Sequence, residues 1–149
     1  PHIEIIEMKD FLEDFEALMS GTLSEANIQL GFLGDRSLTV KADRAQLRQV
    51  FMNVVLNAMQ AMINGGHLSI GLQRSGSSAI ITFSDTGMGM DAETLAKIQQ
   101  PFFTTRSKGT GLGLAICTQL LKENNASISI ESSLGQGTRI IIELPLMSR

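Results

Sequence analysis

A short run of alternating glycines constrains this chain more than any other feature. The run from Gly109 to Gly113 leads directly into residues 114–122, an apolar stretch with helical spacing. A glycine loop that opens a helix exposes backbone N–H groups and the positive end of the helix dipole, which suits a phosphate chain. The glycines also let backbone approach an anion where a Cβ would clash. Taken alone, the run allows either a phosphate site or an ordinary loop, and its spacing differs from that of the dinucleotide fingerprint.

The composition narrows the class of protein. A chain of 149 residues with 43% hydrophobic and 18% charged residues is one globular domain by length. Its net charge of −3 argues against a nucleic-acid partner or direct contact with an anionic membrane. The single cysteine, Cys117, lies among apolar residues and is expected to be a buried thiol, which favours a reducing, cytoplasmic location. Because the chain begins on Pro1, we expect it to be a piece of a longer protein.

The strongest helical pattern covers Ala45 to Met62, and Asp43 is a plausible N-cap for it. Beside its apolar stripe, Asn53, Asn57 and Gln60 share one face. Asparagine costs about 0.5 kcal/mol against alanine inside a helix, so two of them on successive turns ask for a reason. They form either a solvated polar face or a pair of amide oxygens suited to a hard cation that also carries phosphate oxygens.

The remaining elements follow from periodicity and turn chemistry. Residues 2–8 and 11–28 predict an edge strand and a helix, and Gly21 makes the length of that helix uncertain. Three hairpins and a short helix capped by Asp91 are expected. The predicted strands are residues 30–33 with 38–41 as a first hairpin, 67–73 with 79–84 as a second, and 127–131 with 138–144 as a third; residues 64–66 should end the long helix as a left-handed cap, and residues 91–100 and 112–123 are the other helices.

Asp85 ends the second strand of the middle hairpin, and Gly87 and Gly89 follow it. A carboxylate at the end of a buried strand, next to two glycines, is a position where a ligand can reach backbone; a plain turn is the alternative. Residues 101–108 then combine two phenylalanines, two threonines and two cations without helical or strand period. Such a segment is typical either of a lid that closes over a ligand or of a surface loop anchored by its phenylalanines.

Five of these segments resemble the motifs of one family, in family order and over essentially the whole chain. They are Asn53 to Ala58 (similar to the N box of Bergerat-fold ATP-binding proteins), Asp85 to Gly89 (the G1 box), Pro101 to Thr105 (the F box of sensor histidine kinases), Gly109 to Leu114 (the G2 box) and Gly135 to Thr138 (the turn before the closing strand). The resemblance implies the catalytic ATP-binding domain of a bacterial two-component sensor histidine kinase. It implies an α+β fold, a two-layer α/β sandwich with a mixed β-sheet and helices on one face.

The resemblance also implies roles for the matching residues. Asp85 would accept a hydrogen bond from the adenine amino group, and Gly87 and Gly89 would let the lid and backbone pack close to the base. Asn57, helped by Asn53, would hold Mg²⁺ against the phosphates and so act in catalysis. The other residues implied to contact ATP or ADP are Gln60, Phe103, Arg106, Lys108, Gly109, Thr110, Gly111, Leu112, Gly113 and Thr138. Many family members carry a basic residue at the place of Gln60, so one phosphate contact is in doubt there.

Neither His2 nor His67 has the context of the family's phosphoaccepting histidine. The resemblance therefore implies a protein-histidine kinase domain that does not phosphorylate itself. The resemblance also implies that the acceptor lies on the dimerisation and histidine phosphotransfer domain of the parent protein. A response regulator would be an indirect partner. We expect the isolated domain to be a monomer. The parent protein is either soluble or membrane-anchored.

Two rival classes share the Bergerat fold. One comprises the gyrase-type topoisomerases, heat-shock chaperones and mismatch-repair ATPases, which typically carry a glutamate at the Asn53 position as the general base on water. An amide cannot accept that proton, so this route is disfavoured. The other comprises serine kinases of the anti-sigma type and nucleotide-sensing modules without chemistry. The lid residues 102–105 and the end of the pattern after Pro145 favour the histidine kinase.

Overall fold

The computed structural model of the protein describes residues 1–98 and 110–147. These residues form seven strands and four helices. The strands are β1 (Glu4–Glu7), β2 (Ile28–Gly34), β3 (Thr39–Ala42), β4 (Gly66–Ser75), β5 (Ser78–Asp85), β6 (Ser127–Ser132) and β7 (Thr138–Pro145). The helices are α1 (Met8–Glu25), α2 (Arg44–Ala61), α3 (Ala92–Ile98) and α4 (Thr110–Glu123). No helix in the described ranges is both long enough and apolar enough to span a membrane.

Five of the strands form one sheet in the order β2-β4-β5-β7-β6. The β2–β4 pair is parallel and the other three pairs are antiparallel, so the sheet is mixed. Strands β1 and β3 form a separate two-stranded antiparallel sheet. Along β4 the buried residues alternate with more exposed ones, as expected where helices cover one face of a sheet. This architecture confirms the predicted α+β fold.

The core lies between the covered face of the sheet and the helices. Its centre is Phe51 of α2, which is fully buried and makes edge-on contacts with three other phenylalanines. Its ring centroid lies 4.9 Å from that of Phe11, 5.4 Å from that of Phe15 and 4.8 Å from that of Phe83. Each such pair contributes about 0.5–1.5 kcal/mol beyond the burial of its area. These contacts join α1 and α2 to the middle of the sheet.

The first predicted hairpin is wrong. Strand β2 pairs with β4, from Ile28 opposite Gly66 to Gly34 opposite Leu72, and β3 pairs with β1 in the small sheet. Gly34 has a φ of +87°, and a Cβ there would collide with the Leu72 carbonyl oxygen. The Asp35 N–H then donates to that same oxygen over 2.8 Å. The turn chemistry at this point therefore sends the chain out of the sheet instead of folding it back.

The other elements form as predicted, with shifted ends. The Asp43 carboxylate accepts a hydrogen bond from the Gln46 N–H over 3.0 Å and caps α2, and Asp91 accepts from the Thr94 N–H over 2.8 Å at the start of α3. The left-handed cap predicted at residues 64–66 is wrong for the helix itself, because α2 ends at Ala61 with Met62 as its cap. Helix α4 begins at Thr110, so residues 111–113 belong to its first turn.

Candidate functional site

Three of the predicted site residues line one cavity, although they are far apart in the sequence. Asn57 of α2, Asp85 of β5 and Thr138 of β7 meet at a space of about 60 Å³. The rest of its described lining is apolar: Ala58, Ala61, Met90, Ile98, Leu114, Ile130 and Ile140. Mostly apolar walls with a few convergent polar groups are typical of a small-molecule site.

Asp85 is the acidic group of this cavity. Its Oδ1 accepts hydrogen bonds from the Gly87 N–H over 2.8 Å and from the Thr138 N–H over 3.2 Å. Burial raises the pKa of the Asp85 carboxyl above its ordinary value, and the two backbone hydrogen bonds oppose that rise. A carboxylate has about four acceptor positions, so Asp85 can accept a further hydrogen bond from a ligand.

The two glycines after Asp85 are required by close packing. A Cβ on Gly87 would lie 2.7 Å from the Cβ of Ala61 and 2.8 Å from its carbonyl oxygen. Gly89 has a φ of +70°, and a Cβ there would collide with the Ser133 carbonyl oxygen. Between them, the Met88 N–H donates to the Ala61 carbonyl over 3.1 Å. The turn is therefore wedged between the end of α2 and the β6–β7 turn, and this packing alone accounts for both glycines.

Thr138 belongs to a hydroxyl pair that the sequence did not predict. Its Oγ1 lies 2.8 Å from the Ser132 Oγ, which also accepts from the Met90 N–H over 2.9 Å and donates to the Gly137 carbonyl over 3.1 Å. Because the single Ser132 proton is used on Gly137, Thr138 donates to Ser132. Ser132 thus fixes the loop after β5 to the start of β7. Ser132 lies one residue beyond the strand predicted over 127–131, and no local pattern singled it out.

Asn57 carries a polar atom without a partner. Its Nδ2 is buried, and no hydrogen-bond partner for it lies among the described residues. The oxygen and nitrogen of an amide exchange places by a half-turn of the side chain, so the same position can present the oxygen, which is the atom that a hard cation takes. Within residues 1–98 and 110–147, no three His, Cys, Asp or Glu side chains are grouped to hold a metal ion. The residues therefore fit Mg²⁺ that brings most of its ligands as phosphate oxygens and water.

Asn53, one turn before Asn57, has a different environment. Its side chain hydrogen-bonds the Cys117 thiol, which is fully buried and whose Sγ lies 3.9 Å from the Val50 carbonyl oxygen. Burial raises the pKa of this thiol to about 11, against the opposing effect of Asn53. The prediction of a buried cysteine is confirmed. Gln60, the third residue of the predicted polar face, is exposed.

The packing of α2 against α4 brings Asn57 near the start of α4. Asp43, at the beginning of α2, contacts Asn124, at the end of α4, and Val50 contacts Cys117. The two helices are therefore antiparallel, and equal rises of 1.5 Å per residue place Asn57 level with the first turn of α4. The N–H groups of that turn, which includes Gly111, Leu112 and Gly113, have no carbonyl within the helix to bond.

The remaining site predictions fall on residues outside the described part of the chain. They concern Phe103, Arg106, Lys108 and Gly109, together with the lid expected over residues 101–108. Their predicted roles stay predictions.

Residues 42–148 match a protein-family model described as "Histidine kinase-, DNA gyrase B-, and HSP90-like ATPase". The chain belongs to this family. The match begins just before α2 and includes every motif quoted above.

Two relatives narrow the type of domain further. Sporulation kinase C of Bacillus subtilis is 39% identical over 145 residues, which are 97% of this chain and 33% of that protein. Sensor histidine kinase ZraS of Salmonella typhimurium is 33% identical over 149 residues, 99% of this chain and 32% of that protein. The chain thus spans about a third of the length of these relatives.

Solved structures point to the same type. The catalytic domain of histidine kinase ThkA superposes with a TM-score of 0.86 at 28% identity and covers 97% of this chain and 98% of that one. Full-length ShkA, solved in complex with AMPPNP, superposes with a TM-score of 0.84 at 25% identity over 99% of this chain and 32% of that one. Within its family, this chain is a nucleotide-binding domain of the histidine kinase catalytic type.

Proposed function

We propose that this domain binds Mg²⁺ and ATP at the cavity of Asn57, Asp85 and Thr138 and donates the γ-phosphate to a histidine. That histidine lies on the dimerisation and histidine phosphotransfer domain of the parent protein. The observation that carries the proposal is the pairing of a partly buried carboxylate with a buried, unpartnered amide nitrogen in one largely apolar cavity. Burial of either group costs free energy, and a ligand that hydrogen-bonds or coordinates it would offset that cost.

The adenine ring would lie at the end of the cavity beside Asp85. The ionised carboxylate only accepts hydrogen bonds, so it pairs with the adenine amino group and repels the carbonyl that guanine carries in its place. Ala61, Met90 and Ile140 supply apolar surface for a flat ring. Thr138 supports this end, because its N–H orients the Asp85 carboxylate.

The phosphate chain lies at the other end, between Asn57 and the first turn of α4. The N–H groups of that turn, which have no carbonyl within the helix to bond, would bind phosphate oxygens, and the helix dipole favours their charge. The Asn57 oxygen, with Asn53 beside it on α2, would hold Mg²⁺, which neutralises charge on the phosphates when bound. Arg106 or Lys108 would approach the phosphates from the lid, and Gln60 and Phe103 complete the predicted set.

Transfer then depends on position and charge more than on covalent chemistry by this chain. The γ-phosphorus bonds to the imidazole nitrogen of the acceptor as its bond to the bridging oxygen breaks, and ADP is released. His2 is no candidate acceptor, because its backbone N–H donates to Asp43 at the opposite end of α2 from Asn57. Asn53 cannot take a proton from water, so hydrolysis should be slow.

The partner proposals follow from the relatives. The named relatives are whole sensor and sporulation kinases, of which this chain matches about a third, so the acceptor domain belongs to the rest of the parent. ThkA has been solved in complex with the response regulator TrrA, which supports a response regulator as the downstream partner here. We propose that the domain itself acts as a monomer on the cytoplasmic side, where ATP is supplied.

Labelled ATP tests the proposal. Alone with Mg²⁺ and ATP, the chain should bind nucleotide, hydrolyse it very slowly and acquire almost no label. Mixed with a separately produced dimerisation domain of its parent, it should label that domain at histidine, in a bond that acid breaks and base does not. Rapid hydrolysis by the chain alone would instead indicate an ATPase. An acid-stable phosphoserine on a partner would indicate a serine kinase.

A further inference from the structure

We propose that Asn124 is a positioning residue for the nucleotide phosphates. It fixes α4 lengthwise against α2 and so holds the first turn of α4 beside Asn57. The inference rests on the proposed function, because it concerns the phosphate end of that same site.

Asn124 stands out by its burial and its bonds. It is the one polar or charged residue among those described that is classed with the buried core, with 3% of its surface exposed. Its Oδ1 accepts from the Asp43 N–H over 2.6 Å. Its Nδ2 donates to the Leu120 carbonyl over 2.7 Å and to the Gln46 Oε1 over 2.8 Å. The side chain therefore joins the last turn of α4 to the N-cap and first turn of α2.

The end of α4 is held rigidly around this side chain. Asn125 has a φ of +57°, and the Ala126 N–H donates to the Leu121 carbonyl over 2.8 Å. The Asn125 N–H donates to the Lys122 carbonyl over 3.2 Å, which completes a Schellman closure of the helix. The Gln46 amide reaches Glu123 over 3.4 Å as a second bond between the two helices.

These hydrogen bonds fix the lengthwise position of α4 against α2, which apolar packing alone does not fix. Between its ends, α4 contacts its neighbours through Leu114, Cys117 and Leu121, which are buried and largely apolar. Apolar contact is non-directional, whereas hydrogen bonds fix distance and angle. A helix of 14 residues is a stiff rod of about 20 Å, so a shift at Asn124 is carried to Thr110. A displacement of about 1 Å at a reacting group can cost a hundredfold in rate.

The test separates positioning from stability. Asn124→Ala should weaken binding of Mg²⁺–ATP roughly tenfold, because the phosphate-binding turn loses its register, and leave binding of adenosine unchanged. Gln46→Ala removes one acceptor of Asn124 together with the contact to Glu123, and should shift the ATP-to-adenosine ratio less, in the same direction. Val40→Ala, in the small sheet, is the control that lowers the melting temperature at a buried apolar position outside the Asn124 hydrogen bonds. Calorimetry for ATP and NMR titration for adenosine supply the two affinities.

Each outcome decides a different point. If Asn124→Ala lowers the melting temperature while the ATP-to-adenosine ratio stays at the wild-type value, Asn124 is structural only and the inference is wrong. If Val40→Ala shifts that ratio equally, the effect is one of general stability and the inference is again wrong. If Asn124→Ala does not fold, Gln46→Ala carries the test. A wild-type chain that binds adenosine and ATP equally well contradicts the proposed phosphate site itself.

Discussion

Two asparagines at opposite ends of the α2–α4 pair differ in the hydrogen bonds of their buried amide nitrogens. Asn124 makes three, to both helices, and each partner belongs to this chain. Asn57 is level with the other end of α4, and its Nδ2 has no partner among the described residues. A buried amide with all its bonds stabilises the fold, whereas one without them costs about 1–3 kcal/mol unless a ligand completes it. The contrast separates an end of the helix pair built for structure from an end built for binding.

The largest expected effect compares the two asparagines directly. Asn124→Leu should lower the free energy of unfolding by about 3 kcal/mol, because it strands the Asp43 N–H and the Leu120 carbonyl without partners. Asn57→Leu should leave the free energy of unfolding unchanged or raise it. Leucine is similar in size to asparagine, and it carries no polar atom that would be buried without a partner. Urea unfolding of both variants, without nucleotide, measures the difference. Equal losses would show that Asn57 has a structural partner, and the contrast would fail.

Asp85 extends the comparison to a charged group on the binding side. Asp85→Asn should reduce affinity for ATP about a hundredfold, since a charged acceptor contributes about 1.5–3 kcal/mol to its hydrogen bond. The amide oxygen can still accept from Gly87 and Thr138, so the fold should persist. Calorimetric titration with ATP and GTP checks both parts. Wild-type affinity for GTP equal to that for ATP would refute the assignment of Asp85 to the adenine amino group.

A smaller effect isolates the metal. Asn57→Leu should weaken Mg²⁺–ATP about tenfold and leave metal-free ADP nearly unaffected, because only the former needs an oxygen ligand from α2. A ligand at a hundredfold excess over its dissociation constant stabilises the folded state by about 2.7 kcal/mol, so thermal melts detect the change. Asn53→Leu, one turn away, should weaken Mg²⁺–ATP less, since its amide also contacts Cys117. An unchanged Mg²⁺ effect in Asn57→Leu would place the ion elsewhere.

The smallest effect is a pH dependence at Asp85. Its pKa is raised in the folded chain by burial, so its contribution to stability is full below the unfolded pKa and is lost as pH rises through the folded pKa. The wild type should therefore lose stability relative to Asp85→Asn as the pH rises above the ordinary pKa of a carboxyl group. ATP affinity should change in the opposite sense, because the ionised carboxylate is the better acceptor. Melts and titrations of both proteins across that range check the two signs, and parallel curves would contradict them.

The sequence predicted those parts of the molecule that depend on local chemistry. Asp43 and Asp91 cap their helices as their positions indicate, and the β6–β7 hairpin forms around its glycine turn. Prediction failed where a distant segment competes with a local one: residues 28–34 pair with β4 because β4 offers seven successive partners. For the same reason Ser132 and Asn124 were missed. Their roles depend on Thr138 and Asp43, which no local pattern connects to them.

The site shows the same division. The polar face of Asn53 and Asn57 was visible from helical spacing, but the spacing could not distinguish the two amides. Only the packing of α4 shows that Asn53 meets Cys117 while Asn57 faces the cavity. Asp85 was singled out by its place after a strand, and the structure adds that burial raises its pKa.

The burial of Cys117 has a practical consequence for labelling. It is the only cysteine of the chain, it is fully buried, and its pKa of about 11 leaves almost no thiolate at neutral pH. The wild-type chain is therefore nearly inert to thiol reagents, and a cysteine introduced on the surface becomes the single point of attachment. Ser77, in the exposed two-residue turn between β4 and β5, lies at the opposite end of β5 from Asp85. A fluorophore there would leave the cavity untouched and serve as a fixed reference for distances to a labelled nucleotide.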